Sequence, residues 1–455
     1  MQEEFGVETP ATKEGGGKRS IDVSNFKPIT CDDLVKVLGL TIKRDETNKI
    51  ITFLAQLSAF TEDSQLNISF NAPSSTGKSF IPTEIASLFP EEDVIEVGYC
   101  SPTAFFHDVG VFDQDKGGYI VNLSRKILIF LDQPHTLLLQ HLRPILSHDK
   151  KEIRLKITDK SQKYGLKTKN IFVIGYPAVT FCTAGLRLDE QEATRFLLLS
   201  PEIDQEKIRE AIYARVARDS NNSEFQALLD SDPKRKDLKE RILAIKEAHI
   251  GEIRIGNPRL LTSMFFANLK SLKPRHQRDV ARVINLIKTI ALLNIWSRKV
   301  EDGVLISNDS DIKTAFKVWG LVSESQELNL PPYVYNLFKD VISKAYAQKN
   351  SELSGGVTFG VTRQDILKAH FEVYSRHLAD WQLRQEIIPM LENSGLIYQE
   401  PDINDKRRLL IYPTTSLTIS QDEKSDIADP FNGKEPTKDE FVEGIMEVIE
   451  KSEGK

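Results

Sequence analysis

Eight consecutive residues, Ala72-Pro73-Ser74-Ser75-Thr76-Gly77-Lys78-Ser79, have the types and spacing to hold a phosphate chain. They follow G-x-x-x-x-G-K-[ST], with alanine in the first glycine position. In such a loop the backbone N–H groups turn inward around phosphate oxygens. Lys78 would reach the β- and γ-phosphates, and the Ser79 hydroxyl would ligate Mg2+. ATP and Mg2+ are therefore the expected cofactors. Alanine serves in the first position if that residue need not adopt a positive φ.

A second group follows in Lys126-Ile127-Leu128-Ile129-Phe130-Leu131-Asp132-Gln133. The apolar run reads as a fully buried strand, whose C-terminal end is where α/β sheets carry functional groups. Asp132 there would hold Mg2+ through water; the plain alternative is a core strand that happens to end on a polar residue. Gln133 is the next residue. An amide orients water but accepts no proton at neutral pH. Slow hydrolysis, a base from elsewhere, or a glutamine that only positions water all fit. Pro177–Ala184 reads as another buried strand, ending near the Thr183 hydroxyl. Arg195 immediately precedes the apolar run Phe196–Leu199. An arginine so placed can be thrust at a neighbouring subunit's γ-phosphate to stabilise transition-state charge; a local ion pair with Glu192 is the competing reading.

These groups need a scaffold, and the chain alternates accordingly. Leu66–Phe70 reads as a strand entering the loop and Ser79–Leu88 as a helix leaving it, with Pro82 removing a donor early in that helix. Short apolar strands and helical segments alternate from Leu66 to about Pro201, the pattern of an α/β domain with a largely parallel sheet. Residues 1–29 are expected to be a disordered tail and 30–203 the ATPase core, with a helical lead-in capped by Thr30. A helical lid spans 204–350. Residues 351–356 form a linker, 357–413 a winged-helix domain, and 414–455 an acidic tail.

The 455 residues carry 60 Lys+Arg and 66 Asp+Glu, a net charge of −6. No apolar run approaches the roughly 18 residues of a membrane span. No signal-peptide segment is evident, so a cytoplasmic protein with no membrane partner is expected. The three cysteines are too few and scattered for a disulfide framework or zinc site. His135, His141 and His148 read as helix-surface residues. The charge is uneven. Pro413–Lys455 holds eleven acids and five lysines, while Arg143–Asn170 holds nine basic residues against three acids.

The chain at this point resembles the AAA+ ATPases, and within them the minichromosome-maintenance (MCM) helicases and their relatives on phages, plasmids and integrative elements. Thr194-Arg195-Phe196 looks like the family's Ser-Arg-Phe finger motif. Arg278-Asp279-Val280-Ala281-Arg282-Val283-Ile284-Asn285-Leu286 is similar to its sensor 2 helix, which makes Arg278 the sensor and Arg282 the fallback. Ile306–Ile312 looks like the lid strand and its capped helix. The likeness covers residues 30–350. It implies that Thr183 is sensor 1, touching the γ-phosphate and attacking water; a plain strand threonine is the alternative. Gln133 departs from the family's glutamate and Thr183 from its asparagine. No stretch reads as the family's N-terminal zinc-binding or OB-type domain.

Two segments are expected to meet DNA. The basic stretch reads as a hairpin just before sensor 1, with Lys160, Lys163 and Lys167 near its tip and Tyr164 as a stacker. A solvated hairpin with no partner is the plain reading. In the winged helix, Arg384 on the second helix and Lys406, Arg407 and Arg408 on the wing could touch a groove or phosphate, with Trp381, Ile387, Ile388 and Leu391 as core. Such modules also bind proteins. In the tail, Phe441, Ile445, Val448 and Ile449 could dock a protein partner or compete with DNA; a solubilising segment is the alternative.

The expected function is a ring-forming, homo-hexameric AAA+ motor that hydrolyses ATP to translocate on single-stranded or forked DNA, as the replicative helicase of a mobile element or virus. A nucleotide switch or replication initiator with slow hydrolysis is the rival.

Overall fold

The computed structural model describes residues 21–414 except 99–100, 102–104, 107–109, 160–166, 186–193, 268, 270, 352–358 and 404. Residues 1–20 and 415–455 of the expected tails, the linker at 352–356, and Lys160, Lys163 and Tyr164 therefore lie outside the described residues. Residues 21–29 do not fit a disordered tail: Phe26 is buried with its ring 4.7 Å from that of Trp296, and the Lys27 carbonyl accepts from Arg241 at 2.6 Å.

Nine strands form the first two sheets: β1 Ile68–Asn71, β2 Val94–Val97, β3 Val111–Asp113, β4 Gly118–Asn122, β5 Ile127–Phe130, β6 Glu152–Asp159, β7 Lys167–Ile174, β8 Ala178–Thr183 and β9 Leu197–Leu199. The central sheet runs β2-β5-β8-β1-β9 and is parallel throughout. Strand β5 is buried at every position, as its unbroken apolar run requires. Side chains alternate across a strand. Ile127 and Ile129 enter one hydrophobic core, and Leu128 and Phe130 enter another. The first core is closed by the lead-in helices Cys31–Leu38 and Glu46–Leu57 and by later helices such as His276–Leu293. Helix Thr136–Leu146 closes the second.

The other sheet runs β3-β4-β7-β6. Its β6–β7 pair is the antiparallel hairpin expected from the alternating sequence. Gly118 permits β4 to approach β7, since a Cβ there would lie 2.6 Å from the Asn170 carbonyl oxygen.

The segment after β9 is helical, as expected, but it also holds a small sheet of β10 Ile253–Ile255, β11 Lys299–Glu301 and β12 Val304–Ser307, ordered β10-β12-β11. Asn308 caps helix Asp309–Gly320 reciprocally with Asp311. Asp311 is fully buried and receives a two-pronged pair from Arg298, at 2.6 and 2.8 Å.

The last unit begins earlier than its linker suggests. Leu330–Ile342 pack in one core with Val361, Ile366, Leu383, Ile387 and Ile411. The helical stretch from Pro332 to Ser351 thus belongs with the C-terminal unit rather than with the preceding helices. Helix Arg363–Tyr374 follows, capped by Thr362 with Asp365. A helical stretch from Asp380 to Asn393 comes next, then the antiparallel pair β13 Ile397–Pro401 and β14 Leu409–Pro413. Trp381 is 55% exposed, so it is not core; Leu383 holds the buried position instead. No described helix is long and apolar enough to cross a membrane.

Candidate functional site

Strand β1 delivers the loop 72–79 to the C-terminal edge of the central sheet. Ser75 and Gly77 adopt positive φ, +64° and +92°. No atom would crowd a Cβ at Gly77, so glycine is needed there for backbone conformation. The Thr76 hydroxyl donates to the Pro73 carbonyl at 2.9 Å, and the Lys78 ammonium lies 3.5 Å from the same oxygen. Burial pulls the Lys78 ammonium below its ordinary range, opposed by Cys182 and Asp132. The Ser79 side chain makes no capping bond to helix Phe80–Ala86. Pro82 sits in the first turn of that helix, where an amide would have no intrahelical partner, and its carbonyl accepts from Gln56.

Register brings the other chemical groups level with this loop. Thr183 lies beside Asn71, the residue before the loop. Phe130 lies beside Phe181, so Asp132 emerges at about the level of Thr183. Asp132 and Gln133 are exposed, whereas Thr183 is buried. The Thr183 hydroxyl donates to the Gln133 side-chain oxygen at 3.0 Å and receives the Gly185 N–H at 3.0 Å. Behind the loop, the Cys182 thiol donates to the Lys78 carbonyl at 3.2 Å, and burial pushes that thiol up to about 12. A serine hydroxyl and an aspartate carboxylate are hard oxygen donors, which suits Mg2+. Among the described residues there is no cluster of three or more His, Cys, Asp or Glu that could hold a metal alone.

The loop opens on a cavity of about 700 Å3, walled also by Thr41 and Ile42, by Ile208 and Ile212, and by Tyr374 and Arg376. Apolar walls beside a phosphate loop can take a planar base.

Arg195 and Arg278 stand elsewhere. Arg195 precedes β9, which is parallel to β1, so it lies at the N-terminal edge of the sheet, opposite the loop. Its Nε donates to the Ser147 hydroxyl at 2.7 Å, and Arg278 donates to the Thr194 hydroxyl. Both line a second cavity of about 260 Å3 with Ser147, His148 and Asn67. Arg282 is buried beneath them and donates to the Thr194 and Phe196 carbonyls at 2.8 and 2.9 Å and to Asp279 at 2.9 Å. Burial brings its guanidinium down to about 10. Arg282 therefore fixes the Thr194–Phe196 turn, and Arg278 is the exposed arginine of that helix. His148 is not on a helix surface. It follows helix Thr136–Leu146 at φ +58°, and its ring sits 4.6 Å from that of Tyr176.

On the hairpin, Arg154 and Lys156 are exposed, and Arg154 lies over the Phe172 ring and donates to Asn170. Lys116 covers the same ring. Lys167 starts β7. In the C-terminal unit Arg384, Lys406 and Arg407 are exposed.

Sequence reasoning missed Arg376. Its Nη1 donates to the Ser74 carbonyl at 2.9 Å, across 302 residues. It belongs to no motif, and nothing in its neighbourhood marks it.

No family model matches the chain, and no curated protein matches it. Among solved structures, the chain is similar to a full-length MCM homolog from Methanopyrus kandleri, with 14% identity and a TM-score of 0.43. The likeness covers 65% of this chain and 59% of the homolog, and is too distant to assign a family.

Proposed function

We propose that the chain is an ATPase of the AAA+ type whose active sites form between subunits, and that it couples ATP hydrolysis to movement along DNA. The carrying observation is the division of the machinery between two edges of one sheet. Lys78, Ser79, Asp132, Gln133 and Thr183 stand at one edge, and Arg195 and Arg278 at the other. One subunit cannot bring the two sets together. A head-to-tail neighbour can, and repeating that contact closes a ring such as a hexamer.

In this reading Lys78 binds the β- and γ-phosphates, and Ser79 and Asp132 hold Mg2+. Gln133, oriented by Thr183, positions the attacking water. Arg195 and Arg278 of the neighbour neutralise charge that develops on the γ-phosphoryl group. Exposed Arg154 and Lys156, together with Lys160, Lys163 and Lys167 of the same sequence segment, give it the charge to follow a phosphate backbone. The helices, strand pair and basic tip of the C-terminal unit suit a winged helix in which Arg384, Lys406 and Arg407 meet DNA. The tail from 414 supplies acidic contacts to a protein partner. Replicative unwinding for a mobile element or virus is the proposed setting, and the cytoplasm the proposed location.

Gln133 favours a second reading, a slow nucleotide switch or initiator, because its amide accepts a hydrogen bond but no proton. ATP turnover with and without single-stranded DNA, together with strand displacement on a forked duplex, separates the two. DNA-stimulated turnover with displacement supports the motor. Turnover indifferent to DNA, with no displacement, supports the switch. A Lys78→Ala variant with unchanged turnover would sink both.

A further inference from the structure

The C-terminal unit meets the phosphate loop through a closed circuit of hydrogen bonds. The Ser200 hydroxyl donates to the Asn71 carbonyl at 2.7 Å, one residue before the loop begins. The Tyr333 N–H donates to that same hydroxyl at 3.0 Å. The Tyr333 hydroxyl lies 3.0 Å from His370 Nε2, and His370 Nδ1 lies 3.0 Å from the Arg376 carbonyl. A carbonyl only accepts, so Nδ1 carries the proton, Nε2 accepts, and the tyrosine donates. His370 is 1% exposed, and burial holds its ring below the ordinary imidazole range, which suits this neutral form. The guanidinium of Arg376 then returns to the loop at the Ser74 carbonyl, three residues after Asn71.

The circuit fixes the backbone of Arg376 and leaves its guanidinium at the cavity. Ser375, just before it, turns the chain at φ +50° after donating its N–H to the Phe371 carbonyl at 2.8 Å. Arg376 lines the same cavity as Lys78 and Ser79. Among the described residues, neither Lys78 nor Arg376 has a carboxylate within ion-pair distance. Arg215, Arg218 and Lys207 also line this cavity, but they pair with Asp219, Glu84 and Asp45, and the Lys43 ammonium is held by the Gly39 and Leu40 carbonyls of its own segment. Arg278 and Arg282 are at the far edge of the sheet. Two unneutralised cations facing one cavity are an anion site, and a neutral carbonyl is a weak partner for a guanidinium compared with phosphate.

We infer that Arg376 is a phosphate ligand supplied by the chain's own C-terminal unit. It leaves the Ser74 carbonyl for the terminal phosphate of ATP, so that the C-terminal unit reads whether the site holds a tri- or a diphosphate. The inference rests on reading the cavity as a nucleotide site.

The test is calorimetric binding of Mg2+ with ATPγS, and of Mg2+ with ADP, to the full chain. Arg376→Ala should weaken ATPγS binding by roughly tenfold to a hundredfold, the range for a lost charge-assisted hydrogen bond, and ADP binding by less than about threefold. Arg376→Lys should restore part of the difference, and unliganded thermal unfolding of both variants should match the parent. An unchanged ratio of the two affinities, or equal loss of both nucleotides, would make Arg376 a loop brace only and overturn the inference. If the parent binds both nucleotides and Lys78→Ala abolishes that binding, such a result removes this inference alone. If the parent binds neither nucleotide, the site reading falls and this inference with it.

Discussion

The Thr183 hydroxyl donates to the side-chain oxygen of Gln133 at 3.0 Å, across adjacent strands of the central sheet. The bond fixes an exposed amide at the mouth of the loop, with its NH2 group left to meet solvent or substrate. None of the Asp132–Gln133–Thr183 trio is a free base: the Gln133 amide and the Thr183 hydroxyl accept no proton at neutral pH, and Asp132 is the proposed Mg2+ ligand. Gln133→Glu should therefore raise steady-state ATP turnover by about tenfold or more, since a positioned base contributes roughly a hundredfold or more. Thr183→Val should lower turnover and leave nucleotide affinity within about twofold. A phosphate-release assay alongside equilibrium binding checks both.

The separation of Lys78 from Arg195 predicts complementation. Lys78→Ala and Arg195→Ala should each be inactive alone. Mixed in equal amounts, about a quarter of head-to-tail contacts would pair an intact loop with an intact arginine, and activity should return in proportion. A mixture with no recovered turnover would contradict shared sites.

The Arg298–Asp311 pair carries a stability prediction. The side chains are 8% and 0% exposed, and Asp311 also closes the cap of helix Asp309–Gly320. Arg298→Ala leaves a buried carboxylate without its partner, so the loss should be roughly 3–5 kcal/mol. Urea unfolding measures it. Lys299→Ala, the next residue, is exposed and should cost little.

His370 predicts a pH dependence of stability. Burial holds its folded-state pKa below the ordinary value near 6.5, and the charge of Arg376 acts in the same direction against the hydrogen bond to the Arg376 carbonyl. As pH falls through the ordinary range, the unfolded chain takes up a proton that the folded chain refuses. Stability should therefore fall as pH drops below about 6.5 and level off below the folded-state value. His148 is also lowered by burial and adds the same trend. Thermal unfolding of His370→Gln between pH 7.5 and 5 should show a shallower fall than the parent, the difference being the share of His370.

Lys156 tests the hairpin. It is exposed on β6 with no acidic partner among the described residues. Lys156→Ala should weaken single-stranded DNA binding and reduce the slope of log affinity against log salt by about 0.7. An unchanged slope removes this strand from the contact. Removing residues 415–455 should strengthen DNA binding, most at low salt, if the tail competes for the hairpin.

The sheet was legible because its strands are unbroken apolar runs with chemistry at their ends. Ile127–Phe130 marks Asp132, and the loop before Phe80 has a pattern set by phosphate geometry. The cap at Thr30 was legible for the same local reason, since its partner Asp33 lies three residues on. The small sheet of β10, β11 and β12 was mostly missed, because three- and four-residue strands leave no periodicity. The start of the C-terminal unit was misread because Leu330–Ile342 continue a helical pattern; only packing assigns them to the later core. Trp381 looked like core by type, yet its position on the helix faces solvent. Arg376 was invisible, since its meeting with Ser74 exists only once two distant units dock.

Arg195 and Arg278 spend the lone subunit hydrogen-bonded to Ser147 and Thr194 of their own chain. On the shared-site reading, an isolated subunit is idle, and output depends on encounters. Specific activity should then fall on dilution and rise steeply with chain concentration before reaching a plateau. The abundance of the protein, and not only its nucleotide supply, would set when it runs.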